Sequence, residues 1–368
     1  MNLPSKKQIT KIVITGGPCA GKTTGMSHIQ KAFSQMGYAV IFVPETATEL
    51  ITGGVSPQTL DSIYDYQMCQ LKLQIEKEKI FMQAAQKMAN ADKVLIVCDR
   101  GTIDSKAYMK KDEFEKVLFT LNINETHLRD NYDAVFHLVT AAKGAKEYYT
   151  LSNNKARTET LDQAAQVDDK LISAWTGHPH LRVIDNSKGF DQKLKQLICE
   201  ISSFLGEPEP YEIERKFLIE YPDIAYLEKI PNCKKVEIIQ TYLNSRENEE
   251  TRIRQRGENG NYIYFKTTKR KVDDVKRVEI ENHLTKDEYL TLLMDADTSK
   301  RQIRKNRYCL TYESQYFEID IYPFWKDKAI VEIELSDENA KIKFPDYIKV
   351  IKEVTDDDDY KNSSIAKI

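Results

Sequence analysis

Eight consecutive residues, Gly16, Gly17, Pro18, Cys19, Ala20, Gly21, Lys22 and Thr23, carry the plainest chemical signal in the chain. They fit G-x-x-x-x-G-K-[ST] in full, and Thr24 follows directly. The glycines let backbone N–H groups curl around phosphate oxygens, and a helix starting at Lys22 adds the positive end of its dipole. The Lys22 ammonium then reaches the terminal phosphates, and the Thr23 hydroxyl is a ligand for Mg²⁺. At average residue frequencies a chance match in a chain this long is roughly 1 in 100. Binding of ATP or GTP is therefore expected.

Phosphoryl transfer also needs a group to orient the nucleophile and cations over the developing charge. Glu45 follows the apolar run 39–43, where a carboxylate can accept the proton of an acceptor hydroxyl. Asp99 and Arg100 follow the run 94–98. Asp99 is placed to hold Mg²⁺, and Arg100 and Arg157 to clamp phosphates. In parallel α/β sheets ligands bind at the carboxyl ends of strands, which is where all these residues are expected.

A second set lies further on. Side chains alternate along a strand, so Glu212, Glu214 and Lys216 share one face. The same holds for Arg252 with Arg254, Glu279 with Glu281, Lys305 with Arg307, Glu318 with Asp320, and Glu332 with Glu334. Lys266 stands in line with Tyr262 and Tyr264. Like charges two residues apart lie ~7 Å from each other and repel. A divalent ion shared by carboxylates, and a polyanion shared by Arg and Lys, would relieve both repulsions. Mg²⁺ favours carboxylate oxygens together with substrate phosphates, and Arg suits bidentate phosphate contact. A sheet with one charged face can hide it by closing on itself, and barrels of about eight strands hold one small ligand.

The elements that must position these groups fall into two textures. Residues 1–205 alternate strand-like runs (11–15, 39–43, 94–98, 134–139, 181–184) with helix-like stretches (22–36, 56–88, 191–204). This predicts an α/β phosphate-loop domain, a parallel sheet with helices on both faces. Gly206, Pro208 and Pro210 make 206–210 a linker. Residues 211–368 predict an α+β domain built on a closed antiparallel β-barrel tunnel. Its strands are expected over 211–219, 235–244, 250–256, 261–269, 275–283, 306–312, 315–321 and 329–335, with a helix over 286–297.

Composition sets the outer bounds. The 368 residues are 41% hydrophobic and 30% charged, with a net charge of −3. No global positive field calls for a nucleic-acid partner. The cysteines Cys19, Cys69, Cys98, Cys199, Cys233 and Cys309 are scattered, which fits a reducing compartment, and a cytoplasmic location is expected. The first residues lack the apolar core of a secretory leader. The longest apolar runs are strand-sized, so no transmembrane segment is expected.

Two resemblances sharpen these expectations. Residues 10–190 resemble the P-loop ATPase/kinase family that includes the ribosylnicotinamide kinase domain, through the stretches VPETATELI, CDRG, NNKARTET and AWTGHPHLRVIDN. The resemblance implies that Glu45 is the base-like carboxylate, Asp99 and Arg100 the acid–arginine pair, and Arg157 the arginine of a closing lid. His178, Asp185 and Asn186 also match, with no chemical role implied. Residues 211–365 resemble the CYTH superfamily, the triphosphate tunnel metalloenzymes, in the ordered pattern E-x-E-x-K, R-x-R, K, E-x-E, K-x-R, acid-x-acid, E-x-E. Here the resemblance implies Glu212, Glu214, Glu332 and Glu334 as ligands of Mg²⁺ or Mn²⁺, supported by Asp320. Glu279 and Glu281 serve a second metal or an ion-pair network. Lys216, Arg252, Arg254, Lys266, Lys305 and Arg307 bind the triphosphate, and Lys216 or Lys305 helps a water attack. The implied function is hydrolysis of an inorganic or organic triphosphate, with nucleotide binding and small-molecule kinase activity in the front half. Two other functions use the same parts: a nucleotide-regulated switch whose barrel senses a phosphorylated ligand, and a class IV-type nucleotidyl cyclase. One departure from the family is that PFWKDKAIVEIEL lacks the glycine-rich turn before the last acidic strand.

Overall fold

The computed structural model describes residues 7–146, 160–207, 213–245, 249–271, 277–335 and 340–366. The chain splits into two compact units, Met1–Ile198 and Cys199–Ile368.

The first unit runs β1 (Gln8–Thr15), α1 (Lys22–Gln35), β2 (Ala39–Val43), α2 (Thr46–Thr52), α3 (Ile63–Lys87), β3 (Lys93–Asp99), α4 (Lys111–Leu121), α5 (Glu125–Asp130), β4 (Ala134–Leu138), α6 (Leu161–Trp175), β5 (Leu181–Ile184) and α7 (Phe190–Leu205), which continues into the second. The sheet has the order β2-β3-β1-β4-β5, and every pair is parallel. The path reverses direction after β2, so right-handed crossovers put α1 and α3 on opposite faces. That explains why β1, β3 and β4 are apolar on both sides: Ile12–Ile14, Val94–Cys98 and Ala134–Phe136 are all fully buried. The expected helix over 56–88 is shorter. Ser62 caps α3 by accepting from the Asp65 N–H at 3.1 Å, and a turn closed by Ser56 N–H to Thr59 Oγ1 holds the residues before it.

The second unit runs β6 (Ile213–Glu220), α8 (Ile224–Leu227), β7 (Cys233–Tyr242), β8 (Glu249–Glu258), β9 (Asn261–Lys271), β10 (Arg277–Leu284), α9 (Lys286–Leu292), β11 (Ile303–Tyr312), β12 (Gln315–Ile321), β13 (Lys328–Leu335), β14 (Val350–Glu353) and α10 (Asn362–Ile365). Nine strands form one antiparallel sheet in the order β10-β9-β8-β7-β11-β12-β13-β6-β14. Strand β14, which no alternation signalled, pairs with β6. One face of the sheet buries Phe217, Phe317, Ile319, Val331 and Ile333 against Leu227 and Ile348. The alternate residues of the same strands carry the charges. Among the described residues no helix is long and apolar enough to cross a membrane.

Candidate functional site

The phosphate loop is shaped by two glycines that cannot carry side chains. Gly16 has φ 142°, and a Cβ there would stand 2.0 Å from the Leu138 carbonyl oxygen. Gly21 has φ 89°, and a Cβ would reach 2.6 Å from the Phe190 ring. Helix α1 begins with no side-chain cap and no acid in its first turn. With no acid there, the positive end of the helix dipole is offered to an anion. Lys22 is buried at the loop's end, while Thr23 and Thr24 are exposed.

Behind the loop stands Asp168 of α6. Its Oδ1 accepts from the N–H of Gly17 at 2.9 Å and of Thr140 at 3.1 Å, and lies 3.0 Å from His137 Nε2. Burial alone would raise its pKa. The His137 ring, Lys143 and the Gly17 N–H outweigh burial and hold the carboxyl well below its usual range. Asn186 and His178 support the frame: Asn186 Nδ2 donates to the carbonyls of Thr140 and Lys143 at 2.8 and 2.7 Å, and His178 Nε2 lies 3.0 Å from the Tyr132 carbonyl.

At the carboxyl ends of β2 and β3, Arg100 Nε donates to Glu45 Oε1 at 3.1 Å. Arg100 Nη1 lies 3.6 Å from Asp104, which is itself fixed by Thr15 Oγ1 at 2.7 Å and Trp175 Nε1 at 2.5 Å. Burial opposes the charge of Glu45, but Arg100 and Lys22 prevail and pull its pKa down to about 2. Asp99 behaves oppositely. Burial, with Glu45 adding to it, raises its pKa against the pull of Lys22. Its buried Oδ1 has no hydrogen-bond partner among the described residues. The sequence thus brings Lys22, Glu45, Asp99 and Arg100 together. A pocket of about 230 Å³ opens beside Lys22, Glu45 and Arg100.

The charged face of the second unit is interleaved. In the ladders Lys216 stands opposite Glu332, Glu214 opposite Glu334, Glu318 opposite Glu332, and Arg307 opposite Asp320. Lys216 Nζ lies 2.7 Å from Glu332 and 3.3 Å from Glu214. Arg307 serves three acids: it bonds Asp320 through Nε and Nη2 at 2.7 Å each, Glu332 at 2.6 Å, and Glu318 through Nη1. Lys305 also binds Asp320. Arg254 binds Glu281, which accepts from Thr267 Oγ1 at 2.8 Å. Lys305, Arg307, Asp320 and Glu332 are all buried, with Asp320 at 0% exposure. Apolar groups flank the charges on the same face: Val236, Ile238 and Cys309 form one patch, and Tyr242, Ile303, Tyr322 and Ile330, with Ile365 and Ala366, form another.

Burial raises the Glu214 pKa; Lys216 lowers it, Glu332 raises it further, and Lys269 and Arg307 lower it. Glu332 is driven well below the usual range, because Lys216, Arg307 and Lys305 overcome its burial. Lys305 is lowered by burial and by Arg307, whereas Lys216 is raised by Glu214 and Glu332 in spite of burial.

Not every expected residue joins this face. Lys266 pairs with Ile253, whose side chain packs with Leu243 and Tyr289 on the other face. The register puts Lys269 and Arg256 on the charged face instead, since Arg252, Arg254 and Arg256 oppose Thr267, Phe265 and Ile263. The signal was present: Asn259 and Gly260 both have positive φ in a two-residue turn, which fixes Glu258 opposite Asn261 and with it the whole register. Arg157 and Glu212 lie outside the described residues, as does the Glu279 side chain. Among the described residues no three His, Cys, Asp or Glu side chains gather as a ready metal cage.

Comparison with known proteins gives two family matches. A family model described as an AAA domain matches residues 11–193, and one described as a CYTH domain matches residues 210–354. An inorganic triphosphatase of Acetivibrio thermocellus is 31% identical over 160 residues, covering 42% of this chain and 93% of that protein. A solved inorganic triphosphatase is 30% identical over 42% of this chain and 94% of its own, with a TM-score of 0.30. A solved protein of Pyrococcus horikoshii is 23% identical over 35% of this chain and 81% of its own, with a TM-score of 0.27. The chain belongs to the CYTH family, with its CYTH domain following an AAA-type phosphate-loop domain.

Proposed function

We propose that the C-terminal sheet closes into a tunnel that takes up a linear triphosphate, inorganic tripolyphosphate or an organic triphosphate, and hydrolyses its terminal phosphoanhydride with Mg²⁺ or Mn²⁺. The N-terminal domain binds ATP or GTP and transfers phosphate to a small molecule. The observation that carries the first reading is Arg307 buried among Glu318, Asp320 and Glu332. Burying charge is costly, and well-packed apolar residues would stabilise such a sheet as well or better. A face that keeps both signs in its interior fits a ligand that needs both.

The acids suit a divalent cation. Glu214 and Glu334 stand directly opposite each other, and Glu332 is next in line. Like charges so placed repel unless a cation lies between them. Glu214, Glu332 and Glu334 would hold the metal, joined by Glu212 and supported by Asp320. Glu281, engaged by Arg254 and Thr267, serves as an ion-pair partner. A bound metal supplies Lewis-acid charge to phosphate oxygens. Arg252, Arg254, Arg307 and Lys269 would line the phosphate chain, with Lys216 and Lys305 beside the terminal group and the attacking water. The products are orthophosphate and the shortened chain. In the front domain, Gly16–Thr24 cradle the nucleotide phosphates, Thr23 and Asp99 hold Mg²⁺, Arg100 and Arg157 clamp, and Glu45 receives the acceptor's proton.

The homologous inorganic triphosphatase supports tripolyphosphate as the first substrate to assay. Purified protein with Mg²⁺ or Mn²⁺ is expected to release orthophosphate from it, and EDTA to stop the release. Cyclic nucleotide made from ATP would favour the cyclase. Release from no triphosphate would leave the C-terminal domain a binding module.

A further inference from the structure

The phosphate loop is held from behind by a second turn. Thr140, fully buried just past β4, donates its hydroxyl to the Pro18 carbonyl. The N–H of the next residue, Ala141, donates to the Cys19 carbonyl at 3.4 Å. Thr140 is itself fixed on both sides. Its N–H goes to Asp168 Oδ1 at 3.1 Å, and its carbonyl accepts from Asn186 Nδ2 at 2.8 Å. Asn186 is aimed in turn by Lys193, whose Nζ reaches Asn186 Oδ1 at 2.8 Å and also the Val139 carbonyl. Asp168 completes the clamp by taking the Gly17 N–H at 2.9 Å. The fit is close: a Cβ on Gly17 would stand 2.9 Å from Asp168 Oδ1 and 3.0 Å from Thr140 Cβ.

These bonds decide which way the loop's peptide groups point. Across a planar trans peptide the C=O and the following N–H point in opposite directions. Holding the Pro18 carbonyl at Thr140 therefore turns the Cys19 N–H away from that turn. Holding the Cys19 carbonyl at Ala141 does the same for the Ala20 N–H. Were either peptide reversed, a carbonyl oxygen would face the cradle and repel a phosphate oxygen. The loop needs such restraint. Cys19 has φ 57°, in the left-handed region that residues with a side chain avoid. Backbone of this kind persists only where its surroundings impose it. Thr140, Asp168 and Asn186 stand after β4, in α6 and after β5, all outside the G-x-x-x-x-G-K-[ST] stretch.

We infer that Thr140, aimed by Asp168 and Asn186, is the positioning residue of the phosphate loop, its hydroxyl keeping the loop's N–H groups turned towards nucleotide phosphate. The inference rests on the reading of this loop as the seat of ATP or GTP. Thr140 acts through Pro18 and Cys19, so its loss is felt in phosphate affinity.

The test titrates the full chain with Mg²⁺-ATP and Mg²⁺-GTP, and takes as the loop's share the binding that Lys22→Ala removes. Thr140→Val keeps the volume and removes the hydroxyl. Thr140→Ser keeps the hydroxyl and removes a methyl from a fully buried position, so it should melt below the parent. The serine variant is expected to hold nucleotide within threefold of the parent, and the valine variant at least tenfold more weakly. Asp168→Asn, which swaps a charge-assisted acceptor for a neutral amide, should also bind at least tenfold more weakly. Affinities that follow melting temperature across the three variants, rather than the hydroxyl, would make Thr140 a fold-supporting residue only and overturn the inference. So would parent-like affinity in Thr140→Val. Equal nucleotide binding by the parent and Lys22→Ala overturns the placing of nucleotide in the loop, and the inference falls with it.

Discussion

Arg307 on β11 grips Asp320, its cross-strand neighbour on β12, through two hydrogen bonds of 2.7 Å, and the same guanidinium reaches Glu332 at 2.6 Å. One planar fork thus ties together carboxylates from β12 and β13 in the middle of the antiparallel sheet. Arg307→Ala should remove triphosphate hydrolysis by at least about a hundredfold. It should also destabilise the domain by about 3–5 kcal/mol, because buried acids lose their partner. Arg307→Lys keeps the charge but not the fork, and should fold better than the alanine variant while remaining below the parent in kcat/KM. Steady-state kinetics and urea unfolding check both.

The register separates two lysines that the sequence alone confuses. The register puts Lys269 on the face that carries Arg252 and Arg254, and Lys266 on the other. Lys269→Ala should raise the KM for tripolyphosphate about tenfold, whereas Lys266→Ala should change it less than twofold. Equal effects of the two would show that β9 is not registered against β8 through the Asn259-Gly260 turn.

That contrast also measures how much was legible beforehand. The parallel sheet, the phosphate loop and the acidic and basic strand pairs followed from apolar runs and strict alternation, because burial on two faces or on one imprints those periods directly. Lys266 was misplaced because alternation fixes parity within a strand, while parity between strands depends on the turn that joins them. Asp168, Asp104 and Thr140 carry no motif. Each matters through what the fold packs beside it: Gly17, Arg100 and Pro18. Strand β14 was hidden because its four residues are all exposed and show no apolar period.

Lys22 belongs to the front domain and Arg307 to the antiparallel sheet. Lys22→Ala should abolish binding of a fluorescent ATP analogue and leave tripolyphosphate hydrolysis within twofold of the parent. Loss of both activities in a folded variant would mean that the two sites are coupled.

Glu45 gives a pH signature. Its folded-state pKa of about 2 lies below the ordinary 4.5. A depressed carboxylate stabilises the fold above its unfolded pKa, and that contribution fades as pH falls from 4.5 through about 2. Glu45→Gln should therefore cost up to about 3 kcal/mol at pH 7, and the difference should shrink at pH 3. Urea unfolding followed by Trp175 fluorescence, with Trp325→Phe as background, reads the front domain alone. A difference that stays constant between the two pH values would contradict the ion pair with Arg100.

The most direct measurement is orthophosphate release from tripolyphosphate, with and without Mg²⁺ or Mn²⁺, by the parent chain and by Glu332→Gln. Glu332 contacts both Lys216 and Arg307, and the amide keeps its shape while removing its charge. The account predicts metal-dependent release by the parent and at least about a hundredfold less by the folded variant. Release at the parent's rate by Glu332→Gln, or none by the parent, would contradict it.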